Sequence, residues 1–151
     1  MTDKVALYRD LGRQLAALIE GERNRVANAA NMAALIYNGL PDLNWAGFYF
    51  TQGRVLVLGP FQGQPACVRI PWGNGVCGTA AARGESLLVP DVHKFPGHIA
   101  CDPVSQSELV VPLVEGGKVT GVLDLDSPRL NRFDDEDRAG CEALVAILLG
   151  C

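Results

Sequence analysis

The sequence predicts an α+β fold, a mainly antiparallel sheet flanked by N-terminal and C-terminal helices. Three observations predict it. Helix-period patterns occupy both ends of the chain, over residues 4–38 and from Phe133 onward. Short apolar runs punctuated by glycine and proline fill the middle. A two-strand pattern around Glu115-Gly116-Gly117 reads as a hairpin, which makes neighbouring strands antiparallel.

The elements follow in order. Leu7, Leu11, Leu15, Leu18 and Ile19 form the stripe of a first helix that breaks at Gly21. A second helix runs from about Arg23, with Val26, Ala30, Ala33, Ala34 and Tyr37 inward, and Gly39 and Pro41 close it. The aromatic run Trp45 to Phe50 is a strand, Thr51-Gln52-Gly53 a turn, and Arg54 to Leu58 its partner. A short strand is expected over Ala66 to Ile70. Gly73 to Gly78 is a glycine-rich loop that leads into an alanine-rich helix. Leu87 to Val89 is a strand, and residues 90–107 form a long polar loop of the kind that usually carries function. Glu108 to Leu113 and Lys118 to Leu125 pair as the hairpin. The acids of Phe133-Asp134-Asp135-Glu136-Asp137 suit the start of the last helix. No repeat or linker interrupts this order, so residues 1–151 are expected to be one domain.

Composition limits the function classes. Of 151 residues, 48% are hydrophobic and 20% charged, which describes a globular chain rather than a disordered one. The net charge of -4, without a Lys/Arg cluster, argues against a nucleic-acid partner. No apolar run is long enough for a bilayer, and Met1 to Asp10 lacks the apolar core of a secretory signal, so a cytoplasmic location is expected. In a reducing compartment, five cysteines are not a static disulfide framework. Cys67, Cys77 and Cys101 lie in glycine- and proline-rich central segments, which favours redox chemistry over packing.

Several residues are candidates for chemistry. Asp124 and Asp126 are two apart on a strand and therefore share a face with Val122, opposite Leu123 and Leu125. Two acids on one face need solvent, a cation or a donor-rich ligand. Glu108 opens the partner strand and can join them. A carboxyl among carboxylates has a raised pKa and can act as a proton donor. Cys77 lies near the start of the expected alanine-rich helix, where a thiol pKa falls. Cys101 lies in the long loop after His98, so either thiol is a candidate nucleophile. No closely spaced cysteine pair supports zinc, and neither metal nor cofactor is expected.

Six stretches together resemble a known family: Asn44 to Tyr49, Leu58 to Gly63, Gly75 to Gly78, Pro96 to Asp102, Ser107 to Leu113 and Leu123 to Pro128. They are similar to the free methionine-(R)-sulfoxide reductases, which are stand-alone GAF domains. The resemblance implies a GAF-like fold and a thiol-dependent reduction of free methionine (R)-sulfoxide to methionine, through a cysteine sulfenic acid and an intramolecular disulfide. It implies Cys101 as nucleophile, Cys67 as resolving thiol and Cys77 as a third redox-active cysteine. The cluster of Glu108, Asp124 and Asp126 would hold the sulfoxide oxygen and the amine, while Trp45 and Tyr49 line the pocket at the methyl end. Whether Cys67 or Cys77 resolves stays open. The implied partners are free methionine sulfoxide and thioredoxin, with a second copy of the chain admitted, and neither nucleic acid nor membrane. A GAF sensor of small molecules, or a redox-sensing module without turnover, is the alternative.

Overall fold

The computed structural model describes residues 3–98 and 101–150. Two helices, α1 (Lys4–Ile19) and α2 (Arg25–Gly39), precede β1 (Trp45–Gln52), β2 (Val55–Gly63) and β3 (Arg69–Pro71). Helix α3 (Gly75–Arg83), β4 (Leu87–Val89), β5 (Ser107–Glu115), β6 (Lys118–Ser127) and α4 (Asp135–Leu149) complete the order. The six strands form one sheet in the order β3-β2-β1-β6-β5-β4, and every neighbouring pair is antiparallel.

Local chemistry accounts for the elements. Asp3 and Asn24 cap α1 and α2 by accepting from the backbone N–H groups of Ala6 and Ala27. Asp134 and Asp137 cap α4 reciprocally, so the acids expected there serve as a capping box as well as a dipole match. Gly116 and Gly117, at φ 58° and 77°, make the two-residue turn between Glu115 and Lys118. Two consecutive positive φ values match the twist of a hairpin.

The sheet separates two cores. Leu109, Val111, Leu123 and Leu125 pack with α1, α2 and α4 on one face. Val110, Val122, Trp45 and Tyr49 pack with α3 and the loops on the other. Each fully buried leucine contributes about 1.5–3 kcal/mol of hydrophobic stabilisation.

Three expectations are corrected. The inward face of α2 is Ala29, Met32, Ala33 and Ile36, while Val26 is exposed; Leu18 of α1 is exposed too. Small alanines populate both sides of α2, so the apolar pattern did not fix its rotation. The strand expected over Ala66 to Ile70 pairs only at Arg69–Pro71, so Cys67 lies in a loop. Conversely, β2 extends past Pro60 to Gly63, because the proline stands in an antiparallel strand that bulges against β1 between Gly47 and Tyr49.

Candidate active site

The site lies on the α3 face of the sheet centre. Antiparallel register sets Trp45 opposite Asp126, Gly47 opposite Asp124 and Glu108 opposite Asp126. Strand alternation then brings Trp45, Tyr49, Asp124, Asp126 and Glu108 to one face. Position 47 must be glycine, since a Cβ there would collide with Phe61. Trp45 stacks between Tyr49 and Phe61, with ring centroids 6.0 and 5.2 Å away. The Trp45 indole N–H donates to the Gln64 carbonyl, and the Tyr49 hydroxyl donates to the Cys67 carbonyl, each at 3.0 Å. The aromatic pair thus fixes the chain that carries Cys67.

Cys67 and Cys101 are joined by a disulfide with Cα atoms 5.6 Å apart. Cys101 lies in the long loop, and the loop is tethered. Val92 N–H donates to Gln106 O at 2.9 Å, and Gln106 N–H donates to Ser127 O at 2.7 Å. Asn44, just ahead of β1, donates through Nδ2 to both Asp102 Oδ2 and Ser105 Oγ at 3.0 Å. Asn44 therefore clamps the turn that follows Cys101. Ile99 and Ala100, part of the stretch that carries the resemblance, lie outside the described residues.

Glu108 and Asp124 are buried at 6% and 5% exposure, and Asp126 is partly buried. The carboxylates of Glu108 and Asp124 and the Cys77 sulfur lie within 4.8 Å of one another. The Cys77 Sγ–Glu108 Oε2 distance is 3.9 Å. No lysine or arginine is among the described residues that line the cavity. Burial, followed by the charge of Asp126, raises the Glu108 pKa well above the usual carboxylate range. Burial and Glu108 do the same to Asp124, and burial and Asp124 to Asp126. Asp124 Oδ1 is buried with no hydrogen-bond partner. A carboxyl held neutral can donate a proton, and a partnerless oxygen can accept from a ligand.

Cys77 departs from its sequence expectation. It is the third residue of α3, as its place near a helix start suggested, yet only 5% exposed. Burial, with Asp124 and Glu108 beside it, pushes its thiol pKa well up. Desolvation and two acids outweigh the helix dipole, so Cys77 is not the ready thiolate its position suggested.

Sequence reasoning gave no role to two residues here. His98, three residues before Cys101, places Nε2 3.7 Å from Glu108 Oε1. Asn44 clamps the loop. Both stand inside stretches that carry the family resemblance, which was the one available signal. The cavity that His98 shares with Cys101 has a volume of about 40 Å³ in this disulfide-joined form. That is room for a few water molecules only.

A six-stranded antiparallel sheet with helices at both ends and a pocket beneath a helix and loops defines a GAF-type protein, here with a disulfide and a buried acid trio in the pocket. The GAF domain profile matches residues 24–148. The chain is 54% identical to free methionine-R-sulfoxide reductase of Escherichia coli, over 97% of this chain and 88% of that protein. It is 58% identical to protein YtsP of Bacillus subtilis, over 89% and 84%. Its fold is similar, with a TM-score of 0.94 and 45% identity, to the solved structure of free methionine-R-sulfoxide reductase from Neisseria meningitidis in complex with its substrate, over 98% and 89% of the two chains. The chain belongs to the GAF domain family and, within it, to the free methionine-R-sulfoxide reductases. No described helix is long and apolar enough to cross a membrane.

Proposed function

We propose that this protein, acting as one GAF domain over residues 1–151, reduces free methionine (R)-sulfoxide to methionine. The observation that carries the reading is a Cys67–Cys101 disulfide beside a largely buried acid trio, with no lysine or arginine among the described residues of the cavity. The chemistry follows from these parts. Glu108, neutral by burial, protonates or strongly hydrogen-bonds the sulfoxide oxygen and makes the sulfur electrophilic. Asp124 and Asp126 hold the oxygen and the ammonium group, whose positive charge the trio needs. Trp45 and Tyr49 pack against the methyl end. The Cys101 thiolate attacks sulfur, methionine leaves, and Cys101 becomes a sulfenic acid. The Cys67 thiol displaces water from it, giving the disulfide seen here. With Cys67 already bonded to Cys101, resolution by Cys67 is favoured over resolution by Cys77, and Cys77 serves as a third, buried thiol of the site.

A thioredoxin-type dithiol in the cytoplasm reopens the disulfide. Assembly as a homodimer is read by light scattering. The deciding experiment is turnover of both epimers of free methionine sulfoxide, and of peptide-bound sulfoxide, with a dithiol reductant. Turnover confined to the free R epimer is expected, and equal rates on free and peptide-bound sulfoxide would refute the reading. A sensor would bind the sulfoxide without consuming reductant.

A further inference from the structure

The reaction of Cys101 with a sulfoxide needs no proton from water, but it must move one. The S–O bond of the substrate breaks, and an S–O bond forms on Cys101. Two electrons pass from the Cys101 sulfur to the substrate sulfur. The thiol proton of Cys101 must leave before attack, while the oxygen gains a proton from Glu108. Glu108 is then an unprotonated carboxylate in a pocket without cationic neighbours and must regain a proton before the next turnover.

We propose that His98 carries this proton: Nε2 accepts it from the Cys101 thiol and returns it to Glu108. The inference rests on the reductase reading. His98 lies on the same loop as Cys101, both line the cavity, and Nε2 is 3.7 Å from Glu108 Oε1. A small loop shift or one water closes that distance to a hydrogen bond. The titratable groups around the shared cavity are Tyr49 from β1, Glu108 from β5, Asp124 and Asp126 from β6, Cys77 from α3, and Asp102 and Cys101 from the loop itself. Burial raises the pKa values of Glu108, Asp124 and Asp126, and Cys77 is a buried thiol. His98 is the one imidazole among them. It is itself largely buried, with its side chain 16% exposed. That burial lowers its pKa, which keeps it neutral and able to accept at neutral pH.

The role is tested by methionine release in a single turnover of reduced enzyme across pH, comparing wild type with His98→Gln and His98→Asn. Wild type is expected to be flat near neutrality and to fall where His98 protonates. The variants should be about a hundredfold slower at pH 7. Their rate should climb with pH until the thiol ionises unaided near about pH 8.5, closing the gap, and added imidazole should restore part of the loss. A uniform deficit with an unchanged pH profile, or no deficit, overturns the proposal. A second measurement does not depend on turnover or on folding of the His98 variants. In an NMR titration of the reduced enzyme, the nitrogen shift of His98 Nε2 on its neutral plateau should move in Glu108→Gln, which replaces the neutral carboxyl that donates to Nε2; an unmoved shift also overturns it. Wild-type enzyme that releases no methionine would refute the reductase reading, while the titration still decides whether His98 and Glu108 share a proton.

Discussion

Asp137 and Asp124 are both buried acids, at 1% and 5% exposure, and their surroundings are opposite. Asp137 sits where α1 meets α4. It accepts from the Tyr8 hydroxyl at 2.7 Å, Lys4 Nζ at 2.8 Å, Arg132 Nη1 at 3.3 Å and the Asp134 backbone N–H at 3.0 Å. Two cations and two neutral donors satisfy it. Asp124 has carboxyl and thiol neighbours, no cation along its cavity, and an oxygen without a partner. A satisfied buried acid ties elements together, whereas an unsatisfied one waits for a ligand. The comparison separates structural from functional burial within one small chain, and each prediction below tests it.

The largest effect is expected on activity. Glu108→Gln, Asp124→Asn and Asp126→Asn should each slow turnover about a hundredfold or more, because a proton donor or binding charge is lost where the transition state needs it. Removing a raised-pKa acid relieves repulsion, so none of these variants should melt below wild type at pH 8. Steady-state kinetics with a thermal melt on the same sample reads both. Near-normal rates in all three would make the trio a passive polar face.

Asp137→Asn should behave in reverse. It leaves Arg132, with its side chain 8% exposed, without its buried counter-charge. Breaking a buried pair by removing one partner costs about 3–5 kcal/mol, and Lys4, at 28% exposure, recovers some water and holds the loss near about 3 kcal/mol. Urea denaturation should show the drop while turnover per folded molecule stays within about a factor of two. A variant as stable as wild type would erase the contrast between the two acids.

The pH dependence of stability sharpens it further. The pocket acids titrate above the ordinary carboxylate range, so the folded chain keeps protons that the unfolded chain releases above about pH 4–5. The folded state then binds more protons than the unfolded state, and stability falls as pH rises from that range towards the pocket's own. Ligand-free wild type should melt lower at pH 8 than at pH 5.5, and Asp124→Asn should flatten the slope. A bound ligand carrying an ammonium should also flatten it. Wild type that melts lower at pH 5.5 than at pH 8 would mean that the trio is ionised and paired.

Much of this was legible in the sequence, and what was missed has common physical causes. The period of two put Asp124 and Asp126 on one face, and the Glu115-Gly116-Gly117 turn marked the hairpin; a one-residue register shift between Leu113 and Val114, which no sequence signal marked, is what brings Glu108 opposite Asp126 rather than Leu125. The acids at Asp134 and Asp137 announced a helix start. Cys77 was misjudged because position in a helix says nothing about desolvation, which here dominates. The rotation of α2 was misread because alanine fits either face. His98 and Asn44 escaped because each acts through a partner remote in sequence: Glu108 ten positions on, and Asp102 and Ser105 58 and 61 positions on from Asn44. The family resemblance marked the stretches that hold both residues without assigning either a role.

Asn44 gives the smallest expected effect and tests whether the functional face also contains ordinary, satisfied construction. Its amide makes two 3.0 Å bonds to the turn after Cys101, and its backbone N–H donates to Asp126 O at 3.0 Å. Asn44→Ala removes only the two side-chain bonds, each worth about 1 kcal/mol net. It also removes a buried amide oxygen that has no partner, which returns part of that loss. The net destabilisation should therefore be about 1 kcal/mol, well below that of Asp137→Asn. The effect on chemistry should be about tenfold, because a loosened turn spends less time with Cys101 aimed at the pocket. The loss should fall on kcat, with KM little changed, since the groups assigned to the substrate are untouched. Formation of the Cys67–Cys101 disulfide after a single turnover should slow with it, which peptide mapping of quenched samples would follow. Unchanged kcat with a raised KM would place Asn44 at the substrate instead of behind Cys101.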